Sequence, residues 1–386
     1  MKDDTLLTVA GRDPDANHGI VNPPVYHAST VLFPTLDAFD NYHKAKVRYG
    51  RRGTPTTFAL EEAVAALEGG AGAIAVPSGL AAIAAALMAC LKTGDHVLVT
   101  DSAYFPTRYF CNTTLKRFGV ETTYYDPLIG GGIAALIRPN TRVVFIESPG
   151  SHTFEVQDIP AIAKAAHAAG ALVVADNTWG AGYYCKPLSL SADVVVHAGT
   201  KYFVGHSDTM MGLIVCKDEA LGRAIREDAQ VFGLTAGPDD VYLALRGLRT
   251  MGVRLPRHYE NGLKLALWLA ARPEVSRVMH PALPDDPGHA LWQRDFTGAC
   301  GLFGFVLRNE NRTALAAMLD GLEFFGMGFS WGGFESLLIP TAPGKIRSAT
   351  RWTVPGQAMR MHVGLEDPDD LIADLEAGFA RMNATR

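Results

Sequence analysis

Three short segments of the sequence could do chemistry together. Pro77-Ser78-Gly79 ends one apolar run and opens an alanine-rich helical stretch, a place where free backbone N–H groups and the helix dipole would hold a phosphate. Asp176 closes the apolar run Ala171–Asp176, and Thr200-Lys201 lies just beyond the run Asp193–Ala198, with Gly199 allowing close backbone approach. Singly, these are most simply a helix cap, a loop acid and a solvated amine. Together, a phosphate cradle, an acid and an amine at three strand ends are what pyridoxal 5'-phosphate requires. The amine bonds to the cofactor aldehyde, the carboxylate keeps the pyridine nitrogen protonated, and the helix N-terminus takes the phosphate. The protonated ring is an electron sink for the charge left when a Cα proton leaves an amino acid, and the displaced lysine is placed to move that proton.

Two other motifs compete. Gly70-Ala-Gly-Ala-Ile-Ala75 matches the dinucleotide fingerprint GxGxxA, but it follows the helical stretch Leu60–Leu67 and leads into the strand Ala73–Val76. The fingerprint needs the reverse order. Gly328-Phe-Ser330-Trp-Gly332 matches the nucleophile elbow of serine hydrolases, the alternative from another enzyme class. After Ser330 the only histidine is His362, and the one acid between them, Glu335, would fall on the helix that must follow the elbow. No HExxH or EF-hand loop occurs and the twelve histidines show no metal spacing, so no metal site is expected.

The elements that must position these residues follow from pattern. In 386 residues, 48% apolar and 19% charged, two or three domains with a sizeable core are expected. Lys plus Arg total 35 against 40 Asp plus Glu, a balance of -5 that argues against a nucleic-acid partner. The five cysteines lack CxxC spacing, which disfavours a disulfide framework or zinc knuckle and fits a reducing cytoplasm. The N-terminus lacks the pattern of a signal peptide. Gly69–Leu91 carries no charge and could pass for a membrane span, yet Pro77, Ser78 and Gly79 divide it into a strand, a turn and a buried helix, so no membrane partner is expected.

Apolar runs at His96–Thr100, Arg142–Ser148, Ala171–Asp176, Asp193–Ala198 and Met211–Cys216 alternate with helical stretches such as Tyr104–Phe118 and Ile159–Ala169. This predicts an α/β fold with a mainly parallel sheet covered on both faces. Residues 1–53 read as an N-terminal arm, with five basic residues in the nine positions Lys44–Arg52; residues 54–247 as the cofactor-binding domain; and residues 248–386 as a smaller α+β domain. A helical stretch from Pro238 to Ala271, interrupted at Pro256, would connect the two. In the last domain, Gly301–Leu307 and Met359–Gly364 read as strands, and a final helix begins after Asp367 with Leu371, Leu375 and Phe379 on one face. Arg360 lies alone among apolar neighbours in the second strand, so its burial requires an anionic partner, and an amino-acid α-carboxylate would serve.

From the arm to the C-terminus the chain resembles the Cys/Met-metabolism family of pyridoxal-phosphate enzymes, of the aspartate-aminotransferase fold (fold type I), and within it the bacterial β-lyases. Ala198-Gly-Thr-Lys-Tyr-Phe-Val-Gly-His-Ser-Asp208 is similar to the family's lysine signature. The resemblance implies that Lys201 bonds to the cofactor, Asp176 pairs with its nitrogen, and Ser78, Gly79, Leu80 and Thr200 bind its phosphate. It also implies that Tyr104 stacks on the ring, and that a neighbouring subunit supplies Tyr49 and Arg51 from Tyr49-Gly-Arg-Arg-Gly-Thr54. The assembly implied is a homotetramer built from dimers with shared active sites. Arg360, with Ser330, Trp331 and Tyr49, would bind substrate.

The implied activity is that of a carbon–sulfur lyase cleaving L-cystathionine by β-elimination to homocysteine, pyruvate and ammonia, with related cysteine S-conjugates or cystine as further substrates. The γ-lyases and γ-synthases of the same family are the alternative. They typically carry Leu where this chain has Trp331, and the methionine γ-lyases carry a Cys just after the stacking tyrosine, where this chain has Phe105, Pro106 and Thr107. One departure from the close β-lyases is Phe329, usually Tyr, which puts a contact with the distal end of the substrate, and so substrate breadth, in question.

Overall fold

Six apolar runs and a more polar segment form the seven strands of one sheet in the computed structural model, which describes residues 1–385. In chain order they are β1 (Gly72–Val76), β2 (His96–Thr100), β3 (Glu121–Tyr125), β4 (Thr141–Glu147), β5 (Leu172–Asp176), β6 (Val194–His197) and β7 (Gly212–Cys216). Their order across the sheet is β1-β7-β6-β5-β4-β2-β3. Only β7 runs against its neighbours, β1 and β6. Helices cover both faces, one core gathering Leu60, Val64, Ile162 and Val173, the other Ile83, Leu87, Leu115 and Val174. Strands apolar on both sides are what such double cover demands. β3 carried no apolar signal because Glu121-Thr-Thr-Tyr-Tyr125 is an edge strand with most of its side chains only partly buried. The parallel strands β4, β5 and β6 end side by side, with Glu147 opposite Asp176 and Asp176 opposite Val196. This is the edge at which an open α/β sheet presents ligands.

A second, antiparallel sheet orders β8 (Val275–Met279), β9 (Leu302–Leu307), β10 (Leu337–Pro340) and β11 (Gln357–His362) as β10-β11-β9-β8. Helices Arg312–Leu319 and Pro368–Ala384 pack on it, the latter through Leu371, Leu375 and Phe379. The stretch from Pro238 breaks at Thr250, not at Pro256: one helix spans Pro238–Arg249 and the next Met251–Ala270. Pro256 sits inside the second and removes only the bond to the Gly252 carbonyl, a loss that a 20-residue helix absorbs.

Within the first 53 residues, a helix at Asp3–Val9 packs on the body through buried Leu7. Beyond it the chain runs in short turns and one short helix, Leu36–Asp40, with Leu32, Leu36, Phe39 and Tyr42 exposed. Gly69–Leu91 resolves into β1, a turn and the helix Gly79–Cys90. Among the described residues no helix is long and apolar enough to cross a membrane.

Candidate active site

A cavity of about 390 Å³ opens where β4, β5 and β6 end, roofed by β11 and the loop that precedes β10. The helix Gly79–Cys90 points its N-terminus into it. Ser78, in extended backbone, accepts the Ala81 N–H on Oγ at 3.1 Å, which leaves the N–H groups of Gly79 and Leu80 without partners among the described residues. A Cβ on Gly79 would stand 2.6 Å from Ala198 Cβ, so only glycine lets this helix start so close to the end of β6. Thr200 also lines the cavity; its hydroxyl donates to the Met211 carbonyl and accepts the Met211 N–H.

Asp176 is the last residue of β5. Its Oδ1 accepts from the Thr178 N–H at 3.0 Å and the Thr178 hydroxyl at 2.5 Å, while Oδ2 has no partner among the described residues. Burial raises its pKa against the opposing pull of these two bonds and of the charges on His197 and Lys201. Thr178 Oγ1 in turn accepts the Ala198 N–H, tying the ends of β5 and β6 together.

Across the cavity, Lys201 Nζ donates to Ser330 Oγ at 2.8 Å and lies 5.4 Å from the centre of the Trp331 ring. Burial, and then the charge of Arg360, lowers its pKa to about 8 against the pull of Asp176. The Ser330 loop reaches it because of Gly332: at φ +85° a Cβ there would lie 2.9 Å from both Cα and Cβ of Lys201. Arg360, on β11, donates through Nη2 to the carbonyls of Gly328, Phe329 and Ser330. It makes no ion pair among the described residues, and burial lowers its pKa to about 10. A half-buried guanidinium served only by neutral carbonyls retains capacity for an anion.

Tyr104 stands at the start of the helix Phe105–Phe110, 46% exposed, with its backbone N–H donated to Glu147 Oε2 at 2.7 Å. Glu147 escaped the sequence reading, although it ends β4 just as Asp176 ends β5; that parallel was the available signal. Thr178 and His152 were also missed. His152 at φ +67° and Phe154 at φ +58° line the cavity in a conformation that costs a non-glycine residue on the order of 1 kcal/mol. Burial, then Arg360, pulls the His152 pKa down to about 4, so the ring is neutral near pH 7.

Ten of the twelve residues predicted from sequence therefore meet at one cavity: Ser78, Gly79, Leu80, Tyr104, Asp176, Thr200, Lys201, Ser330, Trp331 and Arg360. Tyr49 and Arg51 do not. Arg51 donates instead to the Gln230 carbonyl and lies 5.9 Å from the Tyr49 ring. The competing motifs dissolve: Gly70–Ala75 leads out of the helix Pro55–Glu68 into β1. Ser330 lies in a loop; His362 Nε2 accepts the Gly332 N–H and Glu335 accepts from Ser207, so no Ser-His-acid relay forms. No three His, Cys, Asp or Glu side chains among the described residues could hold a metal.

The donor set fits pyridoxal 5'-phosphate. Two unpaired N–H groups at a helix start suit its phosphate, the free oxygen of a half-buried carboxylate suits a ring N–H, and an amine titrating near neutrality suits its aldehyde.

Comparison with known proteins agrees. The Cys/Met metabolism PLP-dependent enzyme family matches residues 4–380. Cystathionine β-lyase of Salmonella typhimurium (strain LT2) is 48% identical over 389 residues, covering 98% of each chain. The Escherichia coli (strain K12) cystathionine β-lyase is 46% identical over 389 residues, again covering 98% of each. Among solved structures, a cystathionine γ-synthase from Xanthomonas oryzae pv. oryzae superposes with a TM-score of 0.93 at 35% identity over 100% of both chains. The chain belongs to the Cys/Met metabolism family of PLP-dependent enzymes.

Proposed function

We propose that the protein is a carbon–sulfur lyase that cleaves L-cystathionine by β-elimination, yielding homocysteine, pyruvate and ammonia. The observation that carries this is the near-neutral amine of Lys201 placed between an acid, Asp176, and a guanidinium without a carboxylate, Arg360. The choice of β over γ draws on the relatives at 46% and 48% identity, both named cystathionine β-lyase, and on Trp331. Related cysteine S-conjugates and cystine are further candidate substrates.

Arg360 takes the substrate α-carboxylate through the guanidinium nitrogens not engaged with the loop, and Ser330 and Trp331 line the same wall. Lys201, held at Ser330 Oγ before substrate arrives, removes the Cα proton. When bound, the cofactor stores the electron pair so released, and Asp176 keeps its ring nitrogen protonated. Lys201 or the Tyr104 hydroxyl then returns a proton to the departing sulfur, and the aminoacrylate, once released, takes up water to give pyruvate and ammonia. Gly79 and Leu80 N–H groups, with Ser78 and Thr200, hold the phosphate.

Tyr49 and Arg51 lie outside this chain's cavity, on an arm whose apolar side chains are exposed, and this supports their service to a neighbouring subunit. In this reading residues 1–53 form the arm, 54–247 the cofactor domain and 248–386 the small domain of a tetramer built from dimers. The test is to incubate the PLP-supplemented protein with L-cystathionine and identify products by mass spectrometry. Pyruvate with homocysteine is expected; 2-oxobutyrate with cysteine would make it a γ-lyase. Lys201→Ala should lower turnover by at least about 10³-fold, the scale of losing a positioned acid–base group.

A further inference from the structure

Glu147 and Asp176 end neighbouring parallel strands in register, so two carboxyl groups share one wall of the cavity. Neither has a Lys, Arg or His nitrogen within ion-pair distance among the described residues. The groups facing Glu147 are Asp176 on β5, Tyr104 ahead of the helix Phe105–Phe110, Ser151 and His152 in the loop after β4, and, across the cavity, Lys201 and Arg360. His152 is neutral, Lys201 is drawn to Ser330, and Arg360 to the loop carbonyls. Two ionised carboxylates so placed would lack the positive charge that burial demands. One of them holds a proton.

Hydrogen-bond directions decide which. Asp176 Oδ1 receives the Thr178 N–H, which can only donate, and the Thr178 hydroxyl, whose oxygen already accepts the Ala198 N–H. Oδ2 has no partner among the described residues, which leaves it free to accept a ring N–H if the cofactor is bound. Asp176 is therefore built as an acceptor on both oxygens. Glu147 Oε2 must accept, since its partner is the Tyr104 N–H, but Oε1 meets the Ser151 hydroxyl at 2.5 Å. A hydroxyl can turn and accept. Burial, and then the Asp176 charge, push the Glu147 pKa up to about 8 against the opposing pull of the bonds from Ser151 and the Tyr104 N–H.

We propose that Glu147 is a positioning residue that works in its protonated form. Its Oε1–H is directed at Ser151 and its Oε2 holds the Tyr104 backbone, so the pair carries one negative charge, on Asp176. The consequence for catalysis rests on the function proposed above; the protonation of Glu147 does not.

Glu147→Gln copies the protonated acid, with the amide donating to Ser151 and the carbonyl accepting from Tyr104. In wild type, the raised Glu147 pKa contributes stability that is present below the unfolded-state value and lost as pH rises through the folded one. Melting of the cofactor-free protein should therefore match wild type at about pH 4 and exceed it by about 2–4 °C near pH 8.5. In the loaded enzyme near neutral pH, Glu147→Gln should keep kcat/KM within about threefold, while Glu147→Ala, which releases Tyr104, should lose more than about tenfold. A Gln variant that melts below wild type by the same margin at both pH values, or that loses activity as far as the Ala variant, overturns the proposal. Turnover surviving in Lys201→Ala would instead sink the functional reading and leave the melting result standing.

Discussion

Three carboxyl groups stand at the ends of three adjacent strands, and the fold treats them in opposite ways. Asp101, one residue past β2, is completely enclosed by donors. It accepts from the backbone N–H groups of Ser348, Ala349 and Thr350, from the hydroxyls of Ser348 and Thr350, and from Arg108 at 3.0 Å. Burial alone would raise its pKa, but these bonds outweigh burial and hold it below the ordinary carboxylate value. Asp176 and Glu147, on the next two strands, keep bonding capacity in reserve, and their pKa values are pushed up by burial. A carboxylate whose acceptor sites are all filled is part of the scaffold; one left short of donors in a cavity awaits a ligand.

The scaffold role of Asp101 is specific. All its donors except Arg108 lie in the segment between β10 and β11, which leads to Arg360, and Asp101 itself lies three residues before Tyr104. Arg347 in the same segment pairs with Glu155 and donates to Thr153 at 2.5 Å. These contacts fasten the segment that leads into β11 to the loops after β2 and β4, beside the cavity.

The contrast can be broken from either side. Asp176→Asn should fold normally, with a melting temperature close to wild type, and lose about 10²–10³ in kcat, because the amide no longer holds a proton on the cofactor ring. An Asn variant with near wild-type turnover would place Asp176 with the scaffold instead. Asp101→Asn should behave in the opposite sense and cost about 2–4 kcal/mol of stability, since an amide turns one N–H group toward donors that had all met oxygen. The sign with pH follows from the depressed pKa: the Asp101 contribution is present above the unfolded-state value and lost as pH falls through the folded one. Denaturation measured from neutral to acid pH should show the Asn variant and wild type converging at the acid end.

The smallest effect is expected at the rim. Phe329 is 93% exposed at the cavity mouth, so Phe329→Tyr adds a hydroxyl where water already competes for it. KM for L-cystathionine should change by no more than about threefold, with kcat unaltered. A larger fall in KM would mean that the loop closes over the substrate's distal end.

Much of this was legible before folding. β2, β4, β5, β6 and β7 were marked by apolar runs because strands covered on both faces can tolerate little else. Edge strands β3, β8 and β10 were not, since half-exposed strands need no such run. The helical stretch breaks at Thr250, which carries no breaker signal, whereas Pro256 looks like a breaker and is not. Glu147 was passed over because a single acid at the end of an apolar run is ambiguous until its neighbour is known.

What the sequence determined by itself is the chemistry available: a lysine, an acid and a helix start, each placed by short-range pattern at the end of a strand, with glycines at 79 and 332 where no side chain fits. What only the tertiary structure decided is which carboxyl groups are filled and which are left open. That depends on donors some 250 residues away in the case of Asp101 and on strand register in the case of Glu147 and Asp176. Local sequence specifies strand ends through periodicity and side-chain volume, but the protonation and readiness of a group are set by the dipoles and charges the fold brings against it.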